Sequence, residues 1–320
     1  MDRTLNVTGQ ITRTQGTAAL YRYRVRGMIK KAVNEGFVAD LHNVNSIDLA
    51  KWLIEHKSNY CAATYRQYRS ALIFWINESN SPNGKYAIDL LNAENHVANL
   101  KRGLSNRTSA KKSKQLSDKD CHEIICWLKN NPTRYSLALT IFLRIGASVG
   151  LRPCEWKTAR VTRLEDGSAV LQVINAKATN GRGNGKVRTL LLRDLPLWMV
   201  DLIDKFISII RKLDDKGKWD NFYNGCRKTL YLASRKLWPN RKRYPTLYSM
   251  RHQFCADAKS AGLSRIEVAA LMGHASDDTA KLHYGKKRVG RGSCAVSPSD
   301  KDIERLAEKC DFVAIELIYT

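Results

Sequence analysis

Residues 103–115 divide the chain into two parts with different patterns. The stretch reads G-L-S-N-R-T-S-A-K-K-S-K-Q, which is small, polar and basic and lacks apolar periodicity, as is typical of a linker. Residues 1–102 show helical spacing of apolar residues and no strand pattern, whereas residues 116–320 combine helical segments with short β-type runs. We therefore expect a helical domain at 1–102, a basic linker at 103–115 and a second, mixed α/β domain at 116–320.

Four helices are predicted in the first domain, at 17–36, 47–56, 62–77 and 87–100. Ser46 is the predicted N-cap of the second helix, because a serine hydroxyl accepts a hydrogen bond from the first helical turn. On the first and third helices, arginines and lysines fall off the apolar stripe. A solvated face is the simple interpretation, and contact with phosphates is the alternative. The candidates for phosphate contact, including two linker lysines, are Arg22, Arg24, Arg26, Lys30, Arg66, Arg69, Lys111 and Lys112.

The charge of the chain favours a nucleic-acid partner. Its 54 Lys and Arg residues against 30 Asp and Glu residues give a formal net charge of +24. Such an excess attracts a polyanion and repels other copies of the same chain. A basic protein without a particular partner is the alternative.

Several patterns predict the cellular setting. The N-terminus has no apolar segment typical of a signal peptide, and no apolar run approaches the ~18 residues that span a bilayer. The eight cysteines include no C-x-x-C pair. We therefore expect reduced thiols without a zinc site, no membrane contact, and a cytoplasmic, nucleoid-associated protein.

The second domain is predicted to surround a small antiparallel sheet with helices. Helices are expected at 118–129, with Ser117 as the N-cap, and at 134–149, ending at Gly150. Three apolar runs between 159 and 192 are predicted strands, and Asp166-Gly167 marks a hairpin turn. Further helices are expected at 196–213, at 221–237 and after S-P-S-D near the C-terminus. The fold class is therefore mostly α with a small antiparallel β-sheet.

Five motifs occur in an order that resembles the tyrosine recombinase family, the phage-integrase class. They are G-L-R-P-C-E with Arg152 and Glu155, Lys177 after an apolar strand, Y-S-M-R-H with Arg251, L-M-G-H with His274, and H-Y-G-K with Tyr284. The resemblance covers the whole chain and implies an α-helical core-binding domain followed by the family's catalytic domain.

The residue types fit metal-free cleavage of a phosphodiester. This reaction needs cations on the non-bridging oxygens, a nucleophile, and a proton donor for the departing sugar oxygen. Arg152 and Arg251 fit the first role because guanidinium groups bind two oxygens in a fork, and His274 adds a donor. The resemblance implies that Tyr284 attacks phosphorus to give a 3′-phosphotyrosine, with no cofactor, metal or ATP.

Two assignments have alternatives. Lys177 is the expected proton donor to the leaving 5′-oxygen, and Lys186 on the same glycine-rich loop is the competing candidate. Glu155 either holds Arg152 or a neighbouring histidine through a charge-assisted hydrogen bond, or complements a helix N-terminus.

The sequence departs from the family pattern at two places. Tyr248 stands where the family usually has a histidine, and a phenol is a poor general base at neutral pH, so a structural or phosphate-donor role is expected. His274 and Tyr284 are ten residues apart, one more than is usual, which shifts the helical phase by ~100°. A turn at 276–278 would absorb this shift.

The resemblance also implies an assembly. We expect a homodimer on each double-stranded DNA site and a homotetramer in the synapse, acting as an integrase or resolvase of a mobile element. The C-terminal helix, with Ile303, Leu306 and Ala307 on its apolar face, is expected to dock on a neighbouring protomer, since this face is otherwise exposed or packed in cis. The alternatives are a non-catalytic DNA-binding protein on the same fold and a type IB topoisomerase-like enzyme.

Overall fold

The chain forms two compact units, Met1–Asn106 and Arg107–Thr320. The computed structural model describes residues 15–40, 44–94, 112–176, 178, 183–276 and 286–316. These residues form helices and one small antiparallel sheet, so the predicted fold class is confirmed. No helix among them is long and apolar enough to cross a membrane.

The described part of the first unit is helical. Its helices are α1 (Gln15–Asn34), α2 (Ser46–Glu55), α3 (Ala62–Glu78) and α4 (Gly84–Ala93), with a 3-10 turn at His56–Asn59. They enclose a core of aliphatic and aromatic side chains that includes Met28, Leu49, Trp52, Leu72 and Leu91.

Two predicted boundaries of the first unit are wrong. The N-cap of α2 is Asn45, whose side chain accepts from the Ile47 amide, while Ser46 is the buried first residue of the helix and accepts from the Ser81 hydroxyl at 2.9 Å. Helix α4 begins three residues before the predicted Ala87, at Gly84, where a Cβ would lie 2.8 Å from Ile76. It ends at Ala93, and residues 95–100 of the prediction lie outside the described residues.

Helices also make up most of the second unit. They are α5 (Asp118–Asn130), α6 (Ser136–Val149), α7 (Leu197–Asp215), α8 (Trp219–Leu237), α9 (Ser249–Ser260), α10 (Arg265–Met272) and α11 (Asp300–Glu316), with 3-10 turns at Pro153–Lys157 and Lys287–Val289. The predicted N-cap is confirmed, because the Ser117 hydroxyl accepts from the Asp120 amide at 3.1 Å. The predicted end of α6 is also confirmed, since Gly150 adopts the left-handed conformation with φ 61°.

The sheet has four antiparallel strands in the order β1 (Arg160–Arg163), β2 (Ala169–Ile174), β3 (Val187–Leu191) and β4 (Ser297–Pro298). The predicted hairpin is confirmed by the bond from the Leu164 amide to the Ser168 carbonyl at 2.8 Å and by the positive φ of Gly167. Strand β4 was not predicted, because two residues are too few for a period-two pattern. Its pairing of Ser297 with Leu191 brings the start of the C-terminal helix to the sheet.

Helix α11 packs within its own chain along its described side chains. Leu306 is fully buried, and Asp302 accepts from the Thr189 amide of β3 at 2.7 Å. Arg305 donates to the carbonyls of Asn184 and Val187, both at 3.1 Å. Leu306 is therefore covered within its own chain, where α11 contacts α10, and docking of this helix on a neighbouring protomer stays a prediction.

Candidate active site

Glu155 lies at the centre of the candidate site. After Gly150 ends α6, Arg152 is extended and Pro153 begins the 3-10 turn that carries Glu155. The Arg152 amide donates to Glu155 Oε2 at 2.7 Å, and Arg152 Nη1 donates to Oε1 at 2.5 Å. Glu155 thus both caps the turn and holds Arg152, so the two alternatives for this residue are compatible.

Two further arginines reach the same carboxylate. Arg188 of β3 donates to both Glu155 oxygens, at 3.2 and 2.8 Å, and Arg251 Nη1 of α9 lies 3.7 Å from Glu155 Oε2. We call Glu155 with Arg152, Arg188 and Arg251 the Glu155 cluster. Burial opposes ionisation of Glu155, but the charges of Arg188, Arg251 and Arg152 outweigh it and hold the pKa of this carboxyl well below its usual range.

Arg251 links the C-terminal ends of two helices. Its Nη1 donates to the Gly150 carbonyl at 2.6 Å, and its Nη2 donates to the Met272 carbonyl at the end of α10. Its side chain is 1% exposed. Cations are favoured at helix C-termini because unpaired carbonyls face outward there. These bonds define the orientation of Arg251 within the chain.

The turn after α10 places His274 beside the cluster. Gly273 adopts φ 60°, and the His274 amide donates to the Ala269 carbonyl at 3.0 Å, which closes the helix. A Cβ on Gly273 would lie 2.3 Å from Asn175 Oδ1 and 3.0 Å from Arg188 Nη1. Only glycine fits this position, and His274, 2% exposed, follows directly.

Tyr248 lies immediately before α9, one turn from Arg251. Its ring is edge-to-face with the ring of His252, with centroids 5.2 Å apart. Burial, together with the positive charges of Lys114, Arg251 and Lys259, lowers the pKa of His252 to about 4. His252 is therefore uncharged at neutral pH.

Three predicted site residues, Lys177, Tyr284 and Lys111, lie outside the described residues. Lys186, the competing proton donor, is exposed just before β3, and its carbonyl accepts from the Asn175 amide at 2.9 Å. The structure brings together Arg152, Glu155, Arg251 and the turn that carries His274. The described residues contain no group of three or more His, Cys, Asp and Glu side chains placed to hold a metal ion.

The predicted phosphate-contact residues of the first unit have different surroundings. Arg24, Arg26 and Lys30 line a shallow depression on α1 together with Tyr23 and Tyr68. We call these three cations the basic face.

Other predicted phosphate-contact residues have partners or stand apart. Arg22 forms an ion pair with Glu78 of α3, so an acidic side chain lies beside this arginine. Arg69 donates to Asn92 Oδ1 at 2.8 Å, whereas Arg66 is exposed. Lys112, in the second unit, is exposed and forms a parallel bridge with Tyr244.

Arg188 is a site residue that the motifs did not reveal. The segment V-R-T-L-L-L alternates, and period two places Arg188 on the same face as the buried Leu190 and Leu192. A charged residue at an inward strand position requires a buried partner, so this pattern was the available signal.

Comparison with known proteins supports the fold. No family model and no curated protein matches the chain. Among solved structures, the XerH site-specific recombinase bound to palindromic difH substrate, a post-cleavage complex, is 19% identical with a TM-score of 0.51, and the match covers 86% of this chain and 77% of that one. Its pre-cleavage complex with difH gives 18% identity and a TM-score of 0.49 over the same shares. A lambda integrase tetramer bound to a Holliday junction gives 15% and 0.46, over 88% of this chain and 73% of that one. The first likeness shows a shared fold, as the resemblance implied.

Proposed function

We propose that the chain is a tyrosine-type site-specific DNA recombinase. The observation that carries the proposal is the convergence of Arg152 and Arg251, distant in the sequence, on the buried Glu155, with the turn of His274 beside them. The fold shared with a site-specific recombinase supports it. A positively charged, preorganised site is what a phosphodiester requires as negative charge develops on its oxygens.

Arg152, Arg251 and His274 bind the non-bridging oxygens of the scissile phosphate. The Tyr284 oxygen attacks phosphorus as its proton passes to solvent water, and the bond from phosphorus to the 5′-oxygen breaks. Lys177, or Lys186 in its place, donates a proton to that oxygen. The phosphotyrosyl bond preserves the energy of the phosphodiester, so a 5′-hydroxyl rejoins the strand by the reverse attack without ATP, metal or cofactor. Tyr248, a poor base, has a structural or phosphate-donor role.

The wider setting is part of the proposal. Two copies bind each double-stranded DNA site and four form the synapse, in an integrase or resolvase of a mobile element that works in the cytoplasm at the nucleoid. The helical domain at 1–102 and the catalytic domain at 116–320 both bind DNA, and the basic linker at 103–115 joins them. The net charge of +24 supports DNA as the partner.

Covalent trapping tests the proposal. A pool of duplexes with a randomised core is incubated with the protein, and DNA that remains bound in detergent is sequenced to define the site. A duplex of that sequence, nicked beside the cleavage position, then serves as a suicide substrate. We expect a protein–DNA adduct with the wild-type chain and none with Tyr284→Phe, because phenylalanine lacks the attacking oxygen.

The same reagents separate the two alternatives. A non-catalytic DNA-binding protein shifts the selected duplex in a gel but gives no adduct, and this result would sink the enzyme proposal. A topoisomerase-like enzyme relaxes supercoiled plasmid that lacks the selected sequence, whereas a recombinase acts only where the sequence is present.

A further inference from the structure

We infer that Arg188 is a positioning residue for strand cleavage, an assignment that rests on the proposed function. Arg188 occupies an inward position of β3, and its side chain has no exposed surface. The motifs assign phosphate binding to Arg152 and Arg251 and not to Arg188, whose Nε, Nη1 and Nη2 all donate to groups of its own chain. Its effect on the reaction is therefore exerted through the groups that it contacts.

The first of these groups is Glu155. Arg188 Nη1 and Nη2 donate to the two carboxylate oxygens in a fork, a geometry that lysine does not reproduce. The fork orients the carboxylate, which in turn accepts from the amide and from Nη1 of Arg152. The orientation of Arg152 consequently depends on Arg188.

The other contacts of Arg188 reach two different chain segments. Its Nε donates to the Leu271 carbonyl at 2.9 Å, and its Nη1 donates to Asn175 Oδ1. Leu271 precedes His274 by one turn, and Asn175 stands two residues before Lys177 in the sequence. Arg188 thus joins three segments, each of which leads to a different candidate catalytic residue.

These segments are closely packed against one another. The Gly273 backbone is so close that a Cβ there would lie 2.3 Å from Asn175 Oδ1 and 3.0 Å from Arg188 Nη1. Loss or displacement of the Arg188 guanidinium would remove its bond to the Asn175 side chain and its bond to the Leu271 carbonyl before His274. The positions of both segments therefore depend on the same side chain.

Single-turnover cleavage of the selected nicked duplex at saturating protein tests the inference. Arg188→Met keeps the length of the side chain and loses every hydrogen bond, whereas Arg188→Lys keeps the charge and loses the fork. We expect the first-order rate constant of adduct formation to fall about 100-fold in Arg188→Met, as misplacement of reacting groups does. A smaller fall is expected in Arg188→Lys, and DNA affinity in a gel shift should stay unchanged in both.

Arg211→Met is the matched control. Arg211 is a half-buried arginine of α7 that donates to the Ala159 carbonyl at 2.6 Å, and its removal should leave the cleavage rate constant unchanged.

The rate constant distinguishes positioning from stability. A substitution that only unfolds part of the sample lowers the amplitude of adduct formation and leaves its rate constant intact. That pattern, or an unchanged rate constant in Arg188→Met, would overturn the inference while the proposed function stands. If Arg188→Met does not fold, an unchanged rate constant in Arg188→Lys overturns it equally. A wild-type chain that binds the selected duplex and forms no adduct overturns the proposed function and this inference with it.

Discussion

The two units place their cations in opposite surroundings. In the second unit, the arginine side chains of the Glu155 cluster are at most 7% exposed and are oriented by bonds within the chain. In the first unit, the Arg22 side chain is 48% exposed, and Arg26 and Lys30 of the basic face are exposed as well. Salt screens exposed charges strongly and buried ones much less. Burial therefore separates cations that are held in place by bonds within the chain from cations that salt screens.

Among these tests, Glu155→Gln should cause the largest change, a decrease in the free energy of unfolding. The substitution leaves three buried arginines without an anion, so the free energy of unfolding should fall by about 3–5 kcal/mol, the usual cost of breaking a buried ion pair. Urea denaturation followed by tryptophan fluorescence measures it.

Glu78→Gln is the matched control, because Glu78 pairs with Arg22 on the surface of the first unit. Its unfolding transition should not change measurably, since exposed pairs contribute little. Equal shifts for Glu155→Gln and Glu78→Gln would contradict the distinction.

Replacement of the basic face should affect affinity without affecting chemistry. In the triple variant Arg24→Ala, Arg26→Ala and Lys30→Ala, the slope of log affinity against log salt should decrease by about 3, roughly one for each lost phosphate contact. Gel shifts across a salt series measure the slope. The cleavage rate constant at saturating protein should stay at the wild-type value, because the Glu155 cluster is intact.

A control for this variant removes the same charge elsewhere. Lys205, Lys212 and Lys216 are exposed in and just after α7 of the second unit, and their replacement by alanine should leave the slope nearly unchanged. An equal decrease in both triple variants would show that net charge, and not the basic face, determines the salt dependence.

The smallest effect concerns His252, a basic group that is half-buried. Its pKa is lowered from 6.5 to about 4. As the pH falls below 6.5, the histidine therefore binds a proton in the unfolded chain but not in the folded chain. Stability should therefore fall with pH over this interval. The stabilisation from Glu155, whose pKa is lowered from 4.5, is present above pH 4.5 and is lost only below it.

Melting temperatures between pH 6.5 and 4.5 consequently isolate the contribution of His252. The decline should be shallower in His252→Gln than in the wild type, and unchanged in His122→Gln, which removes an exposed histidine of α5. A decline of the same steepness in His252→Gln would refute the assignment.

Local signals predicted much of the fold. The Ser117 cap, the Gly150 end of α6 and the hairpin at Asp166-Gly167 each depend on residues within a few positions, and each is confirmed. The Asn45 cap was missed because asparagine and serine cap equally well and stand side by side. Strand β4 is defined by its pairing with β3, so its own two residues do not predict a strand.

The motifs indicated three residues of the Glu155 cluster but not the network that joins them. The motifs indicated Arg152, Glu155 and Arg251, which the structure brings together. They did not indicate that Glu155 is shared, because its second arginine partner, Arg188, lies on a strand outside every motif. The burial of Leu306 likewise depends on the packing of α11 against α10, a contact that the sequence pattern of α11 itself does not indicate.

The span of the Glu155 cluster has a consequence for a chain that is still being made. Its contacts extend from Arg152 to the Leu271 and Met272 carbonyls, so the cluster is completed only after α10 is available. Contacts between such distant residues form late, because long loops must close first. Domains are synthesised from the N-terminus and fold as units. A chain still on the ribosome therefore carries the basic face before it carries a completed arginine site, and under the proposed function it meets DNA before it is able to cut it.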